Sequence, residues 1–120
     1  MAQPGAVEST RFPYLQARWV TQSQSGQAWA LADTGFDGYL ALPASELERL
    51  GEPDTLEPWR LANGDTVYVP EYRGTIQVAG LPNVIPAIIL VLGDEFIVGR
   101  AVLDRFWVTF DHGRRLVVEP

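Results

Sequence analysis

Asp33-Thr34-Gly35 is the segment of this 120-residue chain best equipped for chemistry. Asp33 closes an apolar run, Trp29-Ala30-Leu31-Ala32, that reads as a strand. A carboxylate at the end of such a strand is costly unless its oxygens accept hydrogen bonds. Thr34 offers a hydroxyl, and Gly35 an amide that can come close to a carboxylate. The same three residues also suit a plain strand-to-turn junction, where Asp and Gly are common.

Other chemistries fall away on composition. The chain has no cysteine, which excludes thiolate nucleophiles, disulfides and Cys-ligated metals. His112 is the single histidine, so a multi-histidine zinc site is excluded, and Asp111-His112-Gly113 reads as a hairpin turn. All nine basic residues are Arg; without Lys there is neither Schiff-base chemistry nor a Walker-type phosphate loop. Fifteen acids give a net charge of −6 with no basic stripe, which argues against a nucleic-acid partner. No metal and no cofactor is expected. Met1-Ala2-Gln3-Pro4-Gly5 shows neither a cationic leader nor an apolar stretch. The most apolar run, Val84 to Leu92, is broken by Pro86 and is too short to span a bilayer. The expectation is a soluble cytoplasmic protein with no membrane partner.

The elements that must position Asp33 follow from periodicity and turn signals. Residues 1–10 read as a flexible lead-in and residues 11–120 as one domain. Strands are expected at 11–22 and 27–32 around Ser23-Gln24-Ser25-Gly26, and at Tyr39 to Leu42. Two more, 59–62 and 66–69, flank Asn63-Gly64, where both residues tolerate positive φ. Strands at 72–79, 84–92 and 96–99 come next, and a closing hairpin joins 107–110 to 114–119. Pro43 starts one helix, in which Ala44, Leu47 and Leu50 share a face, and Gly51 ends it. A second helix covers 100–105, with Leu103 and Phe106 turned inward. About nine short strands and two short helices predict an all-β, barrel-like domain. A domain this small exposes much of its surface, so self-association would help it.

Taken together, these residues resemble the retropepsin-like aspartic peptidases. Asp33-Thr34-Gly35-Phe36 is similar to their active-site loop; Phe36 matches one prokaryotic branch, where the retroviral enzymes usually carry Ala. Ile97-Val98-Gly99-Arg100-Ala101-Val102-Leu103 resembles their second hallmark, two apolar residues and a Gly followed by Arg and a short helix. Glu71-Tyr72-Arg73-Gly74-Thr75-Ile76 looks like the strand leaving their flap, and the likeness covers about residues 27–110.

The resemblance implies an acid-protease barrel acting as an aspartic endopeptidase on an extended peptide or unfolded protein. There is one Asp-Thr-Gly and no second Asp-Thr-Gly or Asp-Ser-Gly, so the implied enzyme is a C2 homodimer with one Asp33 from each protomer. By the same resemblance Thr34 bonds across the two-fold axis and Gly35 presents its backbone to substrate. Asp37 and Arg100 form an ion pair buttressing the loop. Leu61-Ala62-Asn63-Gly64-Asp65 is the flap tip, less rich in Gly than the retroviral one, with Ala62, Asn63 and Gly64 over the substrate. Phe36, Ile97, Val98 and Gly99 lie where they could line substrate pockets or pack in the core. Trp19, Trp29 and Trp107 suit either core or dimer contact, and Leu116-Val117-Val118 suits a dimer strand or a barrel edge. A non-catalytic peptide-binding module and a monomeric structural β-domain are the competing readings.

Overall fold

Alternation of apolar and polar residues turns most of the chain into strands, described over residues 5–120 in a computed structural model. The strands are β1 Val7–Ser9, β2 Tyr14–Thr21, β3 Ser25–Ala32, β4 Leu40–Leu42, β5 Thr55–Arg60, β6 Thr66–Val78, β7 Ile85–Val91, β8 Ile97–Val98, β9 Trp107–Asp111 and β10 Arg115–Glu119. Helix α1, Leu47–Leu50, is entered through a 3-10 turn at Ala44–Glu46, and α2 spans Arg100–Leu103. The all-β expectation holds, with ten strands among the described residues where about nine were expected.

Six strands close on themselves in the order β2-β3-β8-β4-β7-β6, with β6 pairing back onto β2. Two of the pairings, β3–β8 and β4–β7, are parallel. The inward face carries Leu15, Trp19, Leu40, Ile76, Ile89 and Val98, each 2% exposed or less. Val102 and Leu103 of α2 join that core. The barrel seam depends on close backbone approach at Gly74, where a β-carbon would stand 1.9 Å from the carbonyl oxygen of Val20. No side chain fits there.

A second sheet, in the order β1-β10-β9, packs beside the barrel. Residues 1–4 of the expected lead-in lie outside the described residues, but Val7–Ser9 is a strand in register with Leu116–Val118. Three residues with one apolar side chain carry no local strand signal; a partner more than a hundred residues away makes the strand. The placement of β10 also decides the role of Leu116-Val117-Val118. It is the central strand, flanked by β1 and β9, and all three residues are buried.

Two expected strands, 66–69 and 72–79, are one continuous β6 that runs through Pro70. Pro70 opposes Leu56 of β5, whereas pairing with β7 begins only at Glu71. The proline therefore sits where β6 has a neighbour on one side only, the position a missing N–H tolerates. The hairpin tip also differs from a two-residue Asn-Gly turn. Pairing stops at Arg60↔Thr66, and only Gly64, not Asn63, has positive φ. Gly64 N–H donates to the Leu61 carbonyl at 2.9 Å, and Leu61 N–H donates to the Asp65 carbonyl at 2.8 Å. This is a type I turn followed by a left-handed glycine, the usual longer hairpin solution.

Candidate active site

Asp33 emerges where β3 leaves the barrel, and β8 fixes it there. The parallel register pairs Leu31 with Ile97 and Ala32 with Val98. Asp33 N–H extends that ladder by donating to the Val98 carbonyl at 3.0 Å. The chain then turns sharply: Gly35 N–H donates to Asp33 Oδ1 at 2.8 Å, and Phe36 N–H to the Asp33 carbonyl at 3.2 Å. The carboxylate is thus anchored by one oxygen, and no protein donor among the described residues reaches the other. Asp33 is half-buried, whereas Thr34 and Gly35 are exposed.

Side-chain alternation shows which face the carboxylate shares. Ala30, Ala32 and Val98 point into the core, at 7% exposure or less. Leu31 and Ile97 therefore point the other way, and Asp33, two residues beyond Leu31, points with them. Val98, expected as a candidate pocket residue, is 0% exposed and serves the loop through its carbonyl alone.

Behind the loop, α2 is tied on by main chain. Gly99 N–H donates to the Tyr39 carbonyl at 3.0 Å, Arg100 N–H to the Phe36 carbonyl at 2.7 Å and Ala101 N–H to the Gly38 carbonyl at 3.1 Å. Phe36 is half-buried, with its ring against the Cα positions of Gly38 and Gly99. The expected Asp37–Arg100 ion pair is not formed among the described residues. Arg100 Nη2 instead lies 3.3 Å from Asp104 Oδ2, one helical turn away, and both side chains are more than half exposed. An i,i+4 partner on the same helix face is the nearest carboxylate in sequence, and solvent leaves Asp37 without need of it. The loop buttress seen here is made of backbone hydrogen bonds.

The proposed flap tip is exposed at Ala62, Asn63 and Gly64. Its side chains bond one another: Asp65 N–H donates to Asn63 Oδ1 at 2.9 Å, and Asn63 Nδ2 to Asp65 Oδ2 at 3.1 Å. The bond from the Asp65 amide to the Asn63 side chain is an Asx-turn, the local contact Asn commonly makes in tight turns.

No protein-family model matches the chain, and no curated protein matches it. Solved structures do. The crystal structure of a retropepsin-like aspartic protease from Rickettsia conorii superposes with a TM-score of 0.64, covering 95% of this chain and 90% of that one at 17% identity. The fold of this protein is retropepsin-like. At that identity the likeness establishes architecture and nothing finer.

Within the retropepsin-like fold, a surface groove of about 490 Å3 lies between β2 and β6 and is lined by Val20, Thr21, Asp54, Arg73, Gly74 and Thr75. None of these belongs to the Asp33 loop. Sequence reasoning also missed a polar pair on the Asp33 face. Tyr14, in register with Leu31, donates its hydroxyl to Glu95 Oε1. That bond, followed by burial, holds the Tyr14 hydroxyl above its ordinary pKa of 10.0, while the Arg11 charge works against the rise. The partners are 81 residues apart, so no local pattern could announce them.

The tryptophans sort cleanly. Trp19 is in the core, Trp29 is half-buried under the Arg11 guanidinium, and Trp107 is 77% exposed on β9. No helix among the described residues is long and apolar enough to cross a membrane.

Proposed function

We propose that the protein is an aspartic endopeptidase that works as a C2 homodimer. The observation that carries this reading is Asp33 itself: a half-buried carboxylate at a strand end of a retropepsin-like barrel, anchored by Gly35 N–H at 2.8 Å. Its second oxygen carries no protein hydrogen bond among the described residues. A single protomer supplies one such acid, and two-fold symmetry supplies the other.

Two carboxyls brought within a few ångströms cannot both ionise, so the dimer holds one proton between them. The ionised Asp33 takes a proton from water, and the resulting hydroxide attacks the scissile carbonyl carbon. The protonated Asp33 of the partner gives its proton to the carbonyl oxygen, producing a tetrahedral diol. Collapse of the diol breaks the C–N bond as the first carboxyl passes its proton to the leaving amine and a diol hydroxyl returns a proton to the partner carboxylate. In this scheme Thr34 bonds across the axis, Gly35 offers backbone to an extended substrate, and the β5–β6 hairpin closes over it by strand addition. The exposure of Thr34 and Gly35 in the protomer is in keeping with those roles. A cytoplasmic location is part of the proposal and is read out by cell fractionation.

The test is digestion of an unfolded protein across acid to neutral pH by the wild type and by Asp33→Asn. Loss of cleavage in a folded Asp33→Asn dimer supports the proposal. Equal cleavage by both proteins rejects it, and binding of peptides without turnover at any pH would assign the protein to the non-catalytic class.

A further inference from the structure

The face of the barrel that carries Asp33 has a second charged group that the catalytic scheme does not use. Register places Tyr14 beside Leu31 and Leu31 beside Ile97, so the three form one row across β2, β3 and β8. Their neighbours on the opposite face, Leu15, Ala32 and Val98, are buried in the core. The row is partly exposed, and Asp33 stands two residues along β3 from it. At about 3.3 Å per residue, that separation is roughly 7 Å.

Glu95 flanks the row on the side away from Asp33, because β3 and β8 run parallel. It lies two residues before Ile97, and its Oε1 is fixed by the Tyr14 hydroxyl. The preceding segment is itself pinned, because Leu31 N–H donates to the Phe96 carbonyl at 2.9 Å. No positive charge neutralises Glu95 within ion-pair distance among the described residues. Arg11, the cation close enough to influence Tyr14, is stacked on the Trp29 ring at 4.7 Å instead. An apolar wall of Leu31 and Ile97 therefore ends in a positioned carboxylate with one unoccupied oxygen.

We propose that this wall is a specificity pocket in which Glu95 selects an arginine or lysine of the substrate next to the scissile bond. The inference rests on the peptidase reading and names the substrate class for it. A basic side chain has an apolar stem for Leu31 and Ile97 and a cationic head for Glu95. Asp33 and Glu95 lie on opposite sides of the row, roughly 13 Å apart along the strands, a gap spanned by a basic side chain of about 7 Å together with the Glu95 side chain and an ion-pair contact of about 3 Å. Hydrogen bonds between a cation and a carboxylate are shorter and stronger than neutral ones, which gives the pocket a preference rather than mere tolerance. Tyr14 is a positioning residue: it holds Glu95 and leaves the second oxygen free. In a two-fold dimer the pocket occurs twice, once on each side of the cleaved bond.

The experiment separates the pocket from the catalysis. Fluorescent extended peptides identical except for Arg, citrulline or Met beside the central bond are titrated into Asp33→Asn protein, with anisotropy as the readout. The Arg peptide is expected to bind about tenfold tighter than the citrulline peptide, which has the same shape without the charge. Glu95→Gln should remove that difference, and Glu95→Arg should reverse it toward a peptide carrying Glu. Tyr14→Phe should shrink it. Equal affinity for Arg and citrulline, or a preference that survives Glu95→Gln, overturns the pocket, as does failure to bind any of the peptides. The Arg–citrulline comparison needs no substitution at Glu95, so it stands even if a variant folds badly. The wild type is then given the same peptides for cleavage. Selective binding without turnover would sink the enzymatic reading and keep the pocket, whereas turnover without selectivity would sink the pocket alone.

Discussion

Gly99 approaches Gly38 so closely that a β-carbon on Gly99 would stand 2.3 Å from the Gly38 carbonyl oxygen. The same β-carbon would lie 2.6 Å from the Phe36 carbonyl oxygen. These are backbone atoms of the loop that follows Asp33, and they are the acceptors for the Ala101 and Arg100 amides. Gly38 is different: its added β-carbon would meet the Phe36 ring at 2.4 Å, and a side chain can swing aside. Gly99→Ala should therefore destabilise the protein by about 1–3 kcal/mol or more, and Gly38→Ala by less. Urea unfolding of the two variants checks the order, and equal midpoints would contradict the backbone-contact explanation.

Arg100 gives a contrasting expectation. Its pair with Asp104 is exposed, and such helix pairs contribute about 0.3–0.5 kcal/mol at most. Arg100→Gln should leave the unfolding free energy of the protomer within about 0.5 kcal/mol of wild type. A loss several times larger would show that the side chain has another, more buried partner.

The closing hairpin carries an acid-sensitive contribution. Hydrogen bonds from His112, then from Arg115, hold the Asp111 carboxyl below its ordinary pKa of 3.8. A carboxyl with a lowered folded value stabilises the fold fully above 3.8 and loses that contribution as pH falls through the lowered value. The stability difference between wild type and Asp111→Asn should thus be present at neutral pH and shrink below 3.8. Urea titrations at both ends of that range measure it, and a gap that widens in acid would reverse the assignment.

Trp107 belongs to an edge strand and is 77% exposed, so little of the protomer depends on it. Trp107→Ser should change unfolding free energy by no more than about 0.5 kcal/mol. If β9 lies in the proposed dimer contact, sedimentation will show the variant dissociating at higher concentration than wild type. Unchanged sedimentation would place the contact elsewhere.

The legible part of the site is the part built from neighbours in sequence. An apolar alternating run ending in Asp33-Thr34-Gly35 is enough to call for a strand and a tight turn, because Gly35 can reach back to a carboxylate only two residues away. Most hairpins and the stop of the first helix at Gly51 were readable for the same reason, whereas the second helix, expected over 100–105, ends at Leu103. The Asp37–Arg100 expectation failed on a competition that spacing does not rank: Asp104 is one turn from Arg100, and solvent satisfies Asp37. The tryptophans were likewise undecided, since identical indoles end up buried in the barrel at Trp19 and facing water at Trp107.

The amino-acid sequence by itself determined an all-β chain with a single Asp-Thr-Gly and no thiol or multi-histidine chemistry. Those properties are local or compositional, and folding cannot alter them. Only the tertiary structure decided which strand lies beside β3, that Val98 gives the site its carbonyl and not its side chain, that Val7–Ser9 pairs with the far terminus, and that Tyr14 meets Glu95 across 81 residues. Such contacts arise when the barrel closes and remote segments share a face. Their partners are set by register and curvature, which no short stretch of sequence contains.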